Sequence, residues 1–87
     1  MLSRTTKDFR ELFRHLPSEV QVLAEVAYQL WLDDPWHKSL EFKQVTSDKR
    51  LHSVRVGLHW RALGYRTENT VVWFWIGSHA DYDRLIG

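Results

Sequence analysis

The chain has 87 residues and no cysteine. A disulfide scaffold, a thiolate metal site and a cysteine nucleophile are therefore excluded. It holds only two prolines and four glycines. The glycines are scattered, so there is no glycine-rich phosphate loop, no G-x-S-x-G elbow and no metal box. Long apolar runs are also missing: the six residues Val71–Ile76 fall far short of the ~20 that span a bilayer. The amino-terminal MLSRTTKDFR carries charge where a signal peptide would be apolar. These absences lead us to expect one soluble, cytoplasmic domain over residues 1–87, without membrane, metal or cofactor. Net charge is small as well, at +1. Residues 1–40 carry five Lys/Arg against six Asp/Glu, while residues 41–87 carry seven against five, so the positive charge gathers in the second half. That half has a basic, aromatic composition, which suits either a nucleic-acid surface or the ordinary polar face of a sheet.

What the chain does have is tryptophan: Trp31, Trp36, Trp60, Trp73 and Trp75. A domain of this size buries only roughly 60–65% of its unfolded surface. Side chains that each bury about 150–250 Å² are an economical way for it to build a core.

Two helices are expected first. Phe9, Leu12, Phe13 and Leu16 recur at i, i+3, i+4, i+7 and predict an amphipathic helix over residues 6–16, capped by Thr5 or Thr6 and stopped by Pro17. Ser18 with Gln21 reads as a capping box for a second helix, whose stripe is Val20, Leu23, Ala24, Ala27, Leu30 and Trp31, with Val22 and Val26 widening it. Nothing in the pattern marks a strand before the first helix. From Ser39 the period changes to two, which predicts strands at SLEFKQVT, LHSVRVGL and Trp60–Thr67, with turns at Ser47–Arg50 and Thr67–Asn69. Val71–Ile76, wholly β-branched or aromatic, reads as a buried central strand. Links this short require antiparallel neighbours. The expected fold is α+β: an N-terminal two-helix hairpin on a curved four-stranded antiparallel sheet, with HADYDRLI as a short C-terminal helix or tail.

The chemistry-bearing residues cluster after that central strand. Gly77 permits a bend or a close backbone approach, and Ser78, His79 and Tyr82 follow where polar groups can face a cleft. Cleaving a phosphodiester through a ribose 2′-hydroxyl requires a proton acceptor, a cation for the charge on phosphorus and a proton donor for the leaving oxygen. Histidine is the side-chain type that titrates nearest neutrality, and Arg61 and Arg55 lie on strands expected beside that strand. Two readings stand for each candidate. His79 is a proton-transfer group or a helix-terminal packing residue; Arg61 faces an open polar site or pairs with a carboxylate such as Glu41. Trp73, Phe74 and Trp75 either pack in the core or leave one face to stack on bases.

The order of helix hairpin, LEFK strand, HSVRVGLHWRALGY and VVWFWIGSHADYDRL resembles the RelE/ParE superfamily of bacterial type II toxins, in its compact WIGSHA-x-YD subgroup, over roughly residues 6–86. The resemblance implies a helical hairpin on a curved antiparallel sheet and a cognate antitoxin protein that wraps the toxin. It implies either an endoribonuclease (mRNA interferase) acting on mRNA, commonly at the ribosome, or an inhibitor of DNA gyrase. A third possibility it leaves is an inactive interaction module of the same fold. Carried over residue by residue, it places the phosphate-supporting arginine at Arg61, the general acid/base at His79 and the C-terminal tyrosine at Tyr82. Arg55 and Lys43 fall on RNA-binding positions.

Overall fold

A computed structural model describes residues Met1–Gly87. Five strands and three helices follow in the order β1 (Leu2–Thr5), α1 (Lys7–Arg14), α2 (Ser18–Asp33), β2 (Lys43–Gln44), β3 (Leu51–Val56), β4 (Trp60–Thr67), β5 (Thr70–Ser78) and α3 (His79–Ile86), with a 3-10 turn at Lys38–Leu40 before β2. The sheet order is β1-β5-β4-β3-β2. The class is α+β as expected, but the sheet is five-stranded and mixed rather than four-stranded and antiparallel. The additional strand is β1, which lies parallel to β5 with Leu2 opposite Thr70 and Thr5 opposite Trp73. Its sequence, LSRT, has one apolar residue and no alternation to read. Backbone pairing alone makes it a strand, and it turns β5 into an interior one.

Local signals explain most of the remainder. Thr6 caps α1, its hydroxyl accepting the Phe9 N–H at 3.1 Å. The capping box expected for α2 does not form: Pro17 is the N-cap and supplies no side-chain bond. Gln21 instead sends its amide back to the carbonyls of Phe13, Arg14 and Leu16 at 3.1, 3.3 and 3.2 Å. These carbonyls lie at or just beyond the C-terminal end of α1, where acceptors run short of intrahelical partners, so Gln21 closes the first helix rather than opening the second. The SLEFKQVT strand shrinks to Lys43–Gln44. Leu40 and Phe42 are buried as their alternation suggests, but the 3-10 turn and a left-handed Glu41 (φ 46°) achieve it. Leu58, the last residue of the expected LHSVRVGL strand, lies in the β3–β4 turn and is exposed.

The core lies between the sheet and α1–α2. Trp31 is almost fully enclosed and meets Phe42 and Trp73 edge-on at 5.7 and 5.4 Å, a geometry worth about 0.5–1.5 kcal/mol per pair beyond area. A bulge sorts the apolar run of β5. Leu63 pairs with Trp75 and Gly64 with Trp73, so Phe74 is the extra residue. Val71, Trp73 and Ile76 therefore all reach the core, where strict alternation would have turned Ile76 away. No helix is long and apolar enough to cross a membrane.

Candidate functional site

Strand pairing decides which polar residues share the sheet face opposite α1 and α2. Arg55 is opposite Arg61, and Ser53 is opposite Leu63, in a β3–β4 register without slips. Lys43 is opposite Ser53 on β2, and Gly77 is opposite Arg61 on β5. Period-two alternation puts Lys43, Ser53, Arg55, Arg61 and Leu63 on one face, away from Val54, Val56 and Ala62 in the core.

Helix α3 folds back over this face. Ser78 caps it by accepting the Asp81 N–H at 3.1 Å, and the His79 N–H donates to the His59 carbonyl at 2.7 Å, which ties the helix start to the β3–β4 turn. Gly77 allows a close approach and no bend: the strand continues through it to Ser78, and a Cβ there would lie 2.5 Å from Trp75 Cζ2. Tyr82 is the only buried residue of α3. Its hydroxyl reaches Ser53 Oγ at 3.4 Å, and its ring lies 5.5 Å from the Arg61 guanidinium carbon.

Arg61 is the centre of the site. It is only 6% exposed, and its Nη2 donates to Glu41 Oε1. Its Nε and Nη1 are buried and have no partner in the protein. Buried donors are normally satisfied, so two free ones on a single charged group are an unmet hydrogen-bonding demand. Glu41 also lies 3.6 Å from Arg55 Nη1, while Arg55 Nε donates to the Gly57 carbonyl at 3.0 Å. The Arg61 hydrogen bond, opposed by desolvation and helped by the charges of Arg61, Arg55 and Lys43, holds the Glu41 carboxyl below its ordinary value of 4.5. Three cations around one carboxylate leave the cluster positive.

His79 is half-exposed. Its Nδ1 lies 3.1 Å from Asp83 Oδ2, one helical turn on. A carboxylate only accepts, so Nδ1 carries a proton, and Nε2 has no partner in the protein. The His79 ring is 5.7 Å from that of Tyr82. The five residues expected from the sequence thus form a chain: His79 beside Tyr82, Tyr82 over Arg61, and Arg61 joined through Glu41 to Arg55, with the charge of Lys43 felt at the same carboxylate. Tyr82 is 9% exposed, which suits holding a neighbour better than stacking on a ligand. Asp83 was not singled out by sequence; its i, i+4 spacing from His79 was the available signal. No group of three or more His, Cys, Asp or Glu converges in the fold.

A second feature lies on the opposite face. Between α1, α2 and the sheet opens a cleft of roughly 670 Å³, lined mainly by apolar side chains including Phe9, Phe13, Ala24, Ala27, Tyr28 and Trp31, with Arg10, Arg14 and Glu25 also on its wall.

Comparison with known proteins follows the same lines. The model of a ParE-like toxin domain matches residues 18–84. No curated protein matches in sequence. Among solved structures, the chain is similar to the RelB–RelE antitoxin–toxin complex from Methanococcus jannaschii, with TM-score 0.75 and 12% identity over 97% of this chain and 99% of that one. It is similar to YafQ from E. coli, at TM-score 0.69 and 14% identity over 92% and 94%. The RelBE2 toxin–antitoxin complex from Mycobacterium tuberculosis gives TM-score 0.69 and 21% identity over 90% and 96%.

Proposed function

The chain belongs to the ParE-like toxin family of the RelE/ParE superfamily, and from that premise we propose that it is the toxin of a type II toxin–antitoxin pair, acting as an endoribonuclease on mRNA. The observation that carries the chemistry is the buried Arg61 guanidinium with Nε and Nη1 unpartnered, on the same face as a histidine whose Nε2 is free. In this reading the ribose 2′-oxygen attacks phosphorus, the P–O5′ bond breaks, and the products are a 2′,3′-cyclic phosphate and a 5′-hydroxyl. Arg61 takes up the charge that grows on the phosphoryl oxygens. His79 Nε2 takes the proton of the 2′-hydroxyl as the new P–O bond forms, solvent protonates the leaving O5′, and Asp83 keeps the histidine tautomer. Tyr82 holds the Arg61 plane, and Arg55 and Lys43 guide the strand by charge. The proposed reaction calls on no metal or cofactor.

The single domain over residues 1–87 would be neutralised by a cognate antitoxin. The RelE and RelBE2 structures are themselves antitoxin–toxin complexes, and the apolar cleft between the helices and the sheet offers a place for an antitoxin segment. A cleavage assay with translating ribosomes in the presence of a chelator tests the nuclease. RNA ends at defined codons, abolished by changes at Arg61 or His79, are the expected result.

One observation favours a second reading, inhibition of DNA gyrase through the hairpin. Val22 and Val26 of α2 face outward and are well exposed, so this helix is apolar on more than its core side. Growth arrest that survives substitution of both Arg61 and His79, with supercoiling inhibited, would select that reading.

A further inference from the structure

The Arg61 site already holds an anion, and it comes from the chain itself. Glu41 lies on the guanidinium of Arg61 and 3.6 Å from that of Arg55, bridging two cations from adjacent strands much as a phosphodiester would. It satisfies only part of what Arg61 offers, because Nε and Nη1 stay unpartnered in a buried position. A carboxylate placed for stability alone would be expected to pair with the guanidinium through two parallel N–H···O bonds along one edge.

The backbone supports the same conclusion. Glu41 has φ 46° and ψ 43°, a left-handed conformation that a non-glycine residue adopts at a cost and that concentrates at functional positions. It stands between two core anchors, Leu40 and Phe42, both buried, so its Cα is fixed and only its side chain would have to move to release Arg61. The side chain is 38% exposed against 8% for that of Arg61. Glu41 can swing into solvent, whereas Arg61 has nowhere to go.

We infer that Glu41 is a displaceable internal counter-ion, occupying the position of the substrate phosphate and leaving when RNA binds. The inference rests on the phosphate role given above to Arg61. While no RNA is bound, Glu41 neutralises part of the charge that would otherwise stand uncompensated around Arg61, Arg55 and Lys43. On binding, the phosphate takes the Arg61 donor that Glu41 releases and reaches Arg55 with a second oxygen, so the exchange favours a polyanion whose several oxygens can pair with both arginines. A small singly charged anion gains little from the same exchange. Glu41 would thus set a threshold of affinity, raising KM without entering the chemical step, as a residue does when it affects the binding of ground and transition states equally.

Glu41→Gln keeps the shape and removes the charge. Glu41→Asn, also tolerant of the left-handed conformation, is too short to reach Arg61 and serves as a second variant. Titration of wild type and both variants with inorganic pyrophosphate and with an uncleavable 2′-deoxy oligonucleotide, at low salt, reads the effect directly. Both variants are expected to bind each probe about ten-fold more tightly, as charge-assisted pairing to the freed arginines would give. In cleavage, KM should fall and kcat stay unchanged. Unchanged or weaker probe binding in both variants overturns the inference, as does a fall in kcat with unchanged binding, which would make Glu41 a participant in proton transfer. Tighter pyrophosphate binding in variants of a chain that cuts no RNA would uphold the counter-ion and remove the nuclease reading alone.

Discussion

His79 donates its Nδ1–H to Asp83 Oδ2 at 3.1 Å across one turn of α3, which leaves Nε2 as the atom available for proton transfer. His79→Ala should lower RNA cleavage by about 10²–10⁴-fold. Asp83→Asn should lower kcat by roughly ten-fold and leave RNA affinity unchanged, because it disturbs only the tautomer. Both residues are substantially exposed, so unfolding in urea should shift by no more than about 0.5 kcal/mol. Single-turnover cleavage beside denaturation curves checks both statements. Combined with Arg61→Ala, the loss should be smaller than the product of the single losses, since both groups act on one transition state.

Tyr82 distinguishes a ring that orients Arg61 from a phenol that moves a proton. Its hydroxyl makes one long contact, 3.4 Å to Ser53, while its ring lies under the guanidinium at 5.5 Å. Tyr82→Phe is therefore expected to retain cleavage within about three-fold and Tyr82→Ala to lose ten-fold or more, the cation–π contact being absent only in the second. Loss of activity in Tyr82→Phe would assign the hydroxyl to the chemistry.

Stability should depend on acid through Glu41. The Arg61 hydrogen bond holds its carboxyl below the ordinary value of 4.5, so the unfolded chain takes up this proton first as pH falls. The contribution is complete above the ordinary value and is lost as pH drops through the lower, folded one. The stability difference between wild type and Glu41→Gln should be constant above about pH 5 and shrink below it. Asp48, held low by Arg50, acts alike in both proteins and cancels in the difference. A difference independent of pH in chemical denaturation from pH 3 to 7 would show that the pair is not linked to folding.

Gly64 allows β4 to lie against the core side chains of β5 next to the bulge. A Cβ there would sit 2.7 Å from Val71 Cγ1 and 2.8 Å from Trp73 Cε3, and both side chains are buried. Gly64→Ala should destabilise by about 1–3 kcal/mol through overpacking, measurable as a lower urea midpoint. Equal stability would mean that Trp73 has room to move.

The cleft offers a test of the partner. Ala27 lies on its wall at the partly buried side of α2, away from the Arg61 face. Ala27→Glu should weaken antitoxin binding at least ten-fold while RNA cleavage stays at the wild-type level. Calorimetry with the product of a neighbouring antitoxin gene, together with the cleavage assay, gives both readings. Unchanged affinity would move the antitoxin to another surface.

Wherever a structural choice depends on neighbours along the chain, the sequence alone determined it. The Thr6 cap, the stop at Pro17, strand β4 at Trp60–Thr67 and the turn that follows it rest on propensity, steric exclusion and period-two patterning, all local properties. The same pattern accounts for Val54 and Val56 sharing the core face of β3. Tertiary structure decided what depends on a distant partner. LSRT becomes a strand because β5 presents a free edge, and Ile76 reaches the core because Phe74 is bulged out of its pairing. Ser18 and Gln21 have the residue types of a capping box, but nearby carbonyls at the end of α1 compete successfully for the Gln21 amide. The site itself follows this division. Arg61 and His79 were legible as residue types, and Glu41 as one possible partner of Arg61, whereas packing of the turn at Glu41 and of α3 against β4 decided that Arg61 pairs with Glu41 and is covered by Tyr82. Local sequence sets which groups are available; burial and long-range pairing set which of them meet and which donors are left free.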